Sequence, residues 1–286
     1  MPVGIVTDSA ADLSDAETAE LGIEVVPLSI RFGDEEYTDR IDLSVAEFYD
    51  KMAALDVLPE TAAPSPGAFE AAFRKLVKEG ADEIVCINLS LALSATGQAA
   101  QIGAKAVAEL VPVTCVDSKS ITGGLGTMVI AAARAAADGA SAAEVVALVE
   151  ELIPRTHVFG VLDTLDNLKK GGRIGKAQAF LGTLLGIKPI LGMQSGEVVP
   201  VDKVRGGRRA HPRIVELLAE RVDPKRPLLM AVAHSKAPVW ADRLRQLLEV
   251  RFRVAEMIGT DIGPVVGTHA GPGCVGCVAF QPTDEE

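Results

Sequence analysis

"EIVCINLSLALSATGQAAQIGAKAVAELVPVTCVDSKS", residues 83–120, places two short apolar runs on either side of a segment with helical spacing. The runs "EIVCIN" and "PVTCVDS" are rich in β-branched residues and end in turn-forming ones, as strands do. Between them, residues from about Thr96 to Leu110 read as a helix, and another helix begins at about Thr122. The alternation continues upstream, where "VGIVTDS" is followed by a helical "LSDAETAELG" and by the strand "IEVVPLSI". Phe69, Phe73, Leu76 and Val77 recur at helical spacing on the helix that starts near Gly67. Strands alternating with helices imply a mainly parallel sheet with helices on both faces.

After Pro154 the pattern changes. The runs "IKPILGM", "EVVPV", "PLLMAVAH" and "RVAEMIG" are consistent with a second sheet. The expected architecture is therefore a two-domain α/β fold: an N-terminal α/β domain over residues 1–155 and a C-terminal α/β domain over residues 156–286. No internal repeat or low-complexity linker interrupts it.

The chain has 286 residues, 48% hydrophobic and 23% charged, which is the composition of a folded protein. No apolar run reaches the ~18 residues of a membrane span, and "MPVGIVTDSA" lacks the basic start of a secretory signal, so the chain reads as cytoplasmic with no stable membrane insertion. A formal charge of −11 argues against nucleic acid as a partner. The charge is uneven: residues 1–150 carry 9 Lys and Arg against 24 Asp and Glu, whereas residues 151–286 carry 19 against 15. The second half suits an anion or an acidic partner.

Ligands of open parallel sheets sit beyond the carboxyl ends of the strands. There the sequence offers Asp8 and Ser9, Ser90 and Ser94, and Asp117 and Ser118. Each has an ordinary use as a turn or cap residue; together they suggest a polar crevice. "TAAPSPGAF" presents Thr61 on a proline-stiffened segment, and Ser65 before Pro66 reads as the N-cap of the next helix. "LSATGQ" brings Ser94 and Thr96 to a helix start, where free N–H groups favour an anion. "GTHAGPGCVG", residues 267–276, holds His269 among small residues and reads as a loop between two strands.

Several signatures are missing. "KGGRIGK" departs from a P-loop at Lys170 and Ala177, and "GGLGT" fails to complete G-x-G-x-x-G because Val129 takes the third glycine's place. No cofactor is expected. Cys274 and Cys277 have C-x-x-C spacing, but no second ligand pair exists and the segment alternates like a strand, so no metal is expected either.

Seven segments together resemble the DegV family: "VTDSAADLS", "TAAPSPGAF", "LSLALSATGQAA", "VDSKSITGGLG", "LDNLKKGGRIGK", "GIKPIL" and "GPVVGTHAGPGCVG". They occur in the family's order over nearly the whole chain. The resemblance implies a two-domain α/β fold that binds a long-chain fatty acid in a tunnel between the domains. It also implies a non-enzymatic role in phospholipid metabolism, as the fatty-acid-binding subunit of a two-component fatty acid kinase whose ATP-binding subunit is a separate protein. Carried onto this chain, the carboxylate contacts fall on Thr61, Ser94 and His269. The arginines that engage the kinase subunit fall on Arg173 and Arg205, outside the acyl pocket. Ala62 and Ala95 stand where the family often has serine and glycine. Two other readings compete: a stand-alone hydrolase or acyltransferase in which Ser94 attacks, His269 is the base and Asp117 or Asp8 orients it, and a lipid-binding sensor without a kinase.

Overall fold

The computed structural model describes residues 2–55, 58–180 and 186–281. β1 (Val3–Asp8) runs through a 3-10 turn at Ser9–Ala11 into α1 (Asp15–Leu21) and β2 (Ile23–Val26). β3 (Ser29–Phe32), β4 (Glu35–Thr38), α2 (Val45–Ala54) and β5 (Glu60–Ala62) come next. α3 (Pro66–Lys78), β6 (Glu83–Asn88), α4 (Thr96–Ala106), β7 (Val113–Asp117), α5 (Thr122–Ala137) and α6 (Ala142–Arg155) follow in turn. Serine–glutamate capping boxes start three of these helices, at Ser14 and Glu17, Ser44 and Glu47, and Ser141 and Glu144.

The second half contains β8 (Thr156–Val161), α7 (Asp166–Lys170), β9 (Ile187–Gln194), β10 (Glu197–Arg205) and α8 (Ala210–Ala219). It closes with β11 (Leu228–His234), α9 (Pro238–Arg251), β12 (Val254–Asp261), α10 (Pro264–Ala270) and β13 (Val275–Phe280).

The first sheet has the order β2-β1-β6-β7 and is parallel throughout, as the strand-helix alternation requires. α3 and α4 cover one face, burying Phe69, Phe73 and Leu76 against Val6 and Ile84, while α5 and α6 cover the other. The second sheet has the order β10-β9-β8-β13-β11-β12 and is mixed, with only β11 and β12 parallel.

A third sheet, the antiparallel β4-β3-β5, was not foreseen. The run "IEVVPLSI" is two strands rather than one. Pro27, which has no N–H to give a ladder, separates β2 from β3, and the chain changes sheets there. The helix expected to reach Leu110 ends at Ala106.

The "GGLG" glycines of α5 serve packing. A Cβ on Gly123 would stand 3.0 Å from Ala231 of the second sheet, and one on Gly126 would stand 2.6 Å from the Ala11 carbonyl beside the first. α5 thus lies close to both sheets, and one apolar core runs across the seam from Ile5 and Leu125 to Leu191 and Val265.

Asp12 ties the seam with polar bonds. Its Oδ1 accepts the Gly263 N–H at 2.9 Å and faces Arg40 Nη2 at 3.1 Å; Arg40 also donates to the Asp261 carbonyl, and Thr260 Oγ1 donates to the Asp12 carbonyl at 2.5 Å. Tyr49 donates to the Ile262 carbonyl at 2.8 Å. Burial pushes the Asp12 carboxyl up, and the Arg40 charge acts against that shift. Arg40→Ala would strand this carboxylate, so it is expected to lower unfolding free energy by about 3 kcal/mol in urea titrations. An unchanged midpoint would show that Arg40 does not support the seam.

Candidate functional site

Between the two large sheets lies a cavity of about 240 Å³. Its wall is mostly apolar, with Leu89, Val158, Leu191, Val265 and Val278 contributed by both halves of the chain. Among the described lining residues there is no carboxylate, and Arg173 is the one lysine or arginine. The polar lining groups include Thr61, Ser94, Thr122, Arg173 and His269.

Thr61 is the middle residue of β5 and pairs with Ile30, which fixes its direction. His269 lies on α10, not in a loop. Gly263 and Pro264 start this helix, and Gly271, at φ 74°, stops it. The apolar run "IGPVV" imitates a strand, yet Pro264 opens a short helix and Gly271 closes it. Thr61 Oγ1 and His269 Nε2 lie 3.0 Å apart, with the donor set by the imidazole tautomer. The other ring edge presses on the chain at Gly171, where a Cβ would come within 2.3 Å of Nδ1. Only glycine leaves that space.

Ser94 sits in the turn between β6 and α4, where its Oγ lies 2.9 Å from Thr96 Oγ1. Arg173, expected outside the pocket, lines it instead. Its Nε donates to the Leu93 carbonyl at 3.1 Å and its Nη1 to the Gly171 carbonyl at 2.8 Å, which ties the residue beside Ser94 to the strip under His269. The segment "GGRI", residues 171–174, follows α7 and turns inward at this arginine, which sequence spacing alone does not reveal. Arg205 is exposed at the end of β10 and does not line the cavity.

Burial, and secondarily the Arg173 charge, push the His269 imidazole down to about 4. The ring is neutral at pH 7, so the fixed positive charge at this wall belongs to Arg173.

The remaining strand-end residues do structural work. Asp8 is fully enclosed, accepting from the N–H groups of Ala10 and Leu89 and from Asn88, and desolvation pushes it up to about 6. Asp117 accepts the Leu91 and Lys119 N–H groups. Ser65 caps α3 as expected. Neither aspartate bonds to His269, whose Nδ1 has no hydrogen-bond partner among the described residues, so the Ser94-His269-aspartate relay of a hydrolase is not assembled. Cys274 and Cys277 are buried, which pushes both thiols up to about 12. Thr122 was missed; it begins α5 with φ 46° and sits beside Asp12 at the cavity wall. Among the described residues no helix is long and apolar enough to cross a membrane.

These features define an α/β protein with an apolar cavity that carries a cationic and hydroxyl-bearing wall. The chain belongs to the DegV family, whose model matches residues 2–282. A DegV domain-containing protein of Halalkalibacterium halodurans is 36% identical over 274 residues, covering 96% of each chain. Among solved structures, a fatty-acid-binding DegV family protein from Thermus thermophilus matches with a TM-score of 0.93 at 32% identity, over 99% of this chain and 100% of its own. DegV of Bacillus subtilis, a fatty acid binding protein, matches with a TM-score of 0.89 at 31% identity over 98% and 100%.

The depressed imidazole has a signed consequence. Folding excludes a proton from His269 between its ordinary pKa of 6.5 and about 4, so its contribution to stability is complete above 6.5 and is lost as the pH falls through that window. In NMR titrations of ligand-free protein, the His269 ring resonances, assigned by their disappearance in His269→Gln, should stay flat from about pH 8 to about pH 5.5. A midpoint near 6.5 would contradict the buried neutral ring.

Proposed function

We propose that this chain is a cytoplasmic fatty-acid-binding protein. It sequesters one long-chain fatty acid between two domains, residues 1–155 and 156–286, and presents the carboxylate to a separate ATP-binding kinase subunit that forms the acyl phosphate. The chain itself performs no catalysis. The observation that carries this reading is the cavity's composition: apolar walls with no carboxylate among the described lining residues, and the polar set Thr61, Ser94, His269 and Arg173. The fatty acids bound by the Thermus thermophilus and Bacillus subtilis relatives support it.

The physical division of labour is simple. An alkyl tail gains roughly 0.8 kcal/mol per buried CH₂, so about a dozen groups contribute on the order of 10 kcal/mol before ordering costs. The carboxylate needs donors to leave water, and two hydroxyls, an imidazole N–H and a nearby guanidinium can supply them. Affinity comes mainly from the tail, orientation from the head. We assign Arg205 to engaging the kinase subunit, and Arg173, beside His269 on the cavity wall, to both the carboxylate and that encounter.

Calorimetry and a reconstituted kinase assay test the two parts together. Ser94→Ala and His269→Ala should each weaken fatty acid binding by about 1–3 kcal/mol, roughly 5- to 150-fold, with the fold retained. Arg205→Ala should keep wild-type affinity and thermal stability but lose kinase-dependent acyl phosphate formation, whereas Arg173→Ala should lower both. Wild-type affinities in the first pair would remove the head-group assignment. Wild-type activity of Arg205→Ala would remove the interface.

A further inference from the structure

Two of the four cysteines occupy one place in the sheet. Cys86 of β6 and Cys115 of β7 are register partners on adjacent parallel strands, so their side chains leave the same face side by side. Adjacent strands run about 4.8 Å apart, inside the roughly 4.4–6.8 Å Cα separation that a disulfide spans. The two thiols are near enough to shift each other's ionisation.

Their environments differ in a useful way. Cys86 is fully buried under α3 and α4, and its Sγ lies 3.3 Å from Asn88 Oδ1. Cys115 is half-buried on β7, the edge strand of the first sheet, where solvent has access. We propose that Cys86 and Cys115 form a peroxide-sensitive dithiol site, in which Cys115 is the attacked sulfur and Cys86 the resolving one.

Supporting this order, the neighbouring Cys86 thiol draws the Cys115 thiol below its ordinary range, while burial raises Cys86 well above it. Cys115 as thiolate attacks one oxygen of hydrogen peroxide, the O–O bond breaks, and the departing hydroxide takes a proton to become water. The product is a Cys115 sulfenic acid. Cys86 then loses its proton and attacks that sulfur; the S–S bond forms as hydroxide leaves and becomes the second water. Two electrons pass from the sulfur pair to the peroxide. Neighbouring strands tolerate such a crosslink with strain, which makes the bond readily reducible rather than structural. Cys274 and Cys277 are the internal controls, since both are buried with thiols near 12.

The test uses the reduced full-length protein treated with hydrogen peroxide, then denatured, thiol-tagged and mapped by mass spectrometry. The expected product is about 2 Da lighter, has lost two of its four taggable thiols, yields a linked Cys86–Cys115 peptide, and returns to four thiols with dithiothreitol. In Cys86→Ser the link should be absent and Cys115 should accumulate as sulfenic acid and higher oxides. Both thiols remaining free in wild type, Cys115 passing to sulfinic acid while Cys86 stays free, or a link that involves Cys274 or Cys277 would overturn the proposal. None of these wild-type readings depends on a variant folding.

Discussion

Asp12 accepts the Gly263 N–H and faces Arg40 at the seam between the two large sheets, and the position of α10 follows from that contact. The helix begins one residue later, at Pro264. A Cβ on Gly263 would stand 2.6 Å from Asp12 Oδ1, and one on Gly267 would stand 2.4 Å from Tyr49 Oη, so the helix approaches the first half of the chain at two successive glycines. His269, on the last turn, is then held between Thr61 and Gly171. A buried carboxylate is costly in isolation. Here it is matched by a guanidinium and a backbone donor, and the interaction fixes where the imidazole points.

The cavity wall has the opposite electrostatic character. Among its described lining residues it has no carboxylate; it keeps its imidazole neutral and carries Arg173. An incoming carboxylate would favour the protonated ring and oppose the desolvation that now depresses it, so ligand and His269 protonation are linked. The same wall stays empty of strong donors along the apolar strands, which suits a tail that asks only for contact.

Much of this fold is legible in residues 83–120, because strand-helix-strand alternation leaves few arrangements for a parallel sheet. The second sheet is legible as a change of pattern after Pro154. The third sheet is not, since β3, β4 and β5 are short and Pro27 hides a sheet change inside a continuous apolar run. Of the site, Thr61, Ser94 and His269 are visible as polar residues set among prolines, glycines and other small neighbours, and resemblance gives them a common purpose. The inward turn of Arg173 and the helical setting of His269 depend on tertiary contacts with Leu93, Gly171 and Asp12, and no local spacing encodes those. Thr122 is overlooked for a related reason: its backbone is held in a left-handed conformation that β-branched residues seldom adopt.

The central claim is that the cavity between the sheets holds one acyl chain. Protein purified from a bacterial host, extracted under denaturing conditions and analysed by quantitative mass spectrometry, tests it most directly. The account expects close to one long-chain fatty acid per protein, or stoichiometric uptake when the acid is added to delipidated protein. Protein that carries none and takes up none would contradict it.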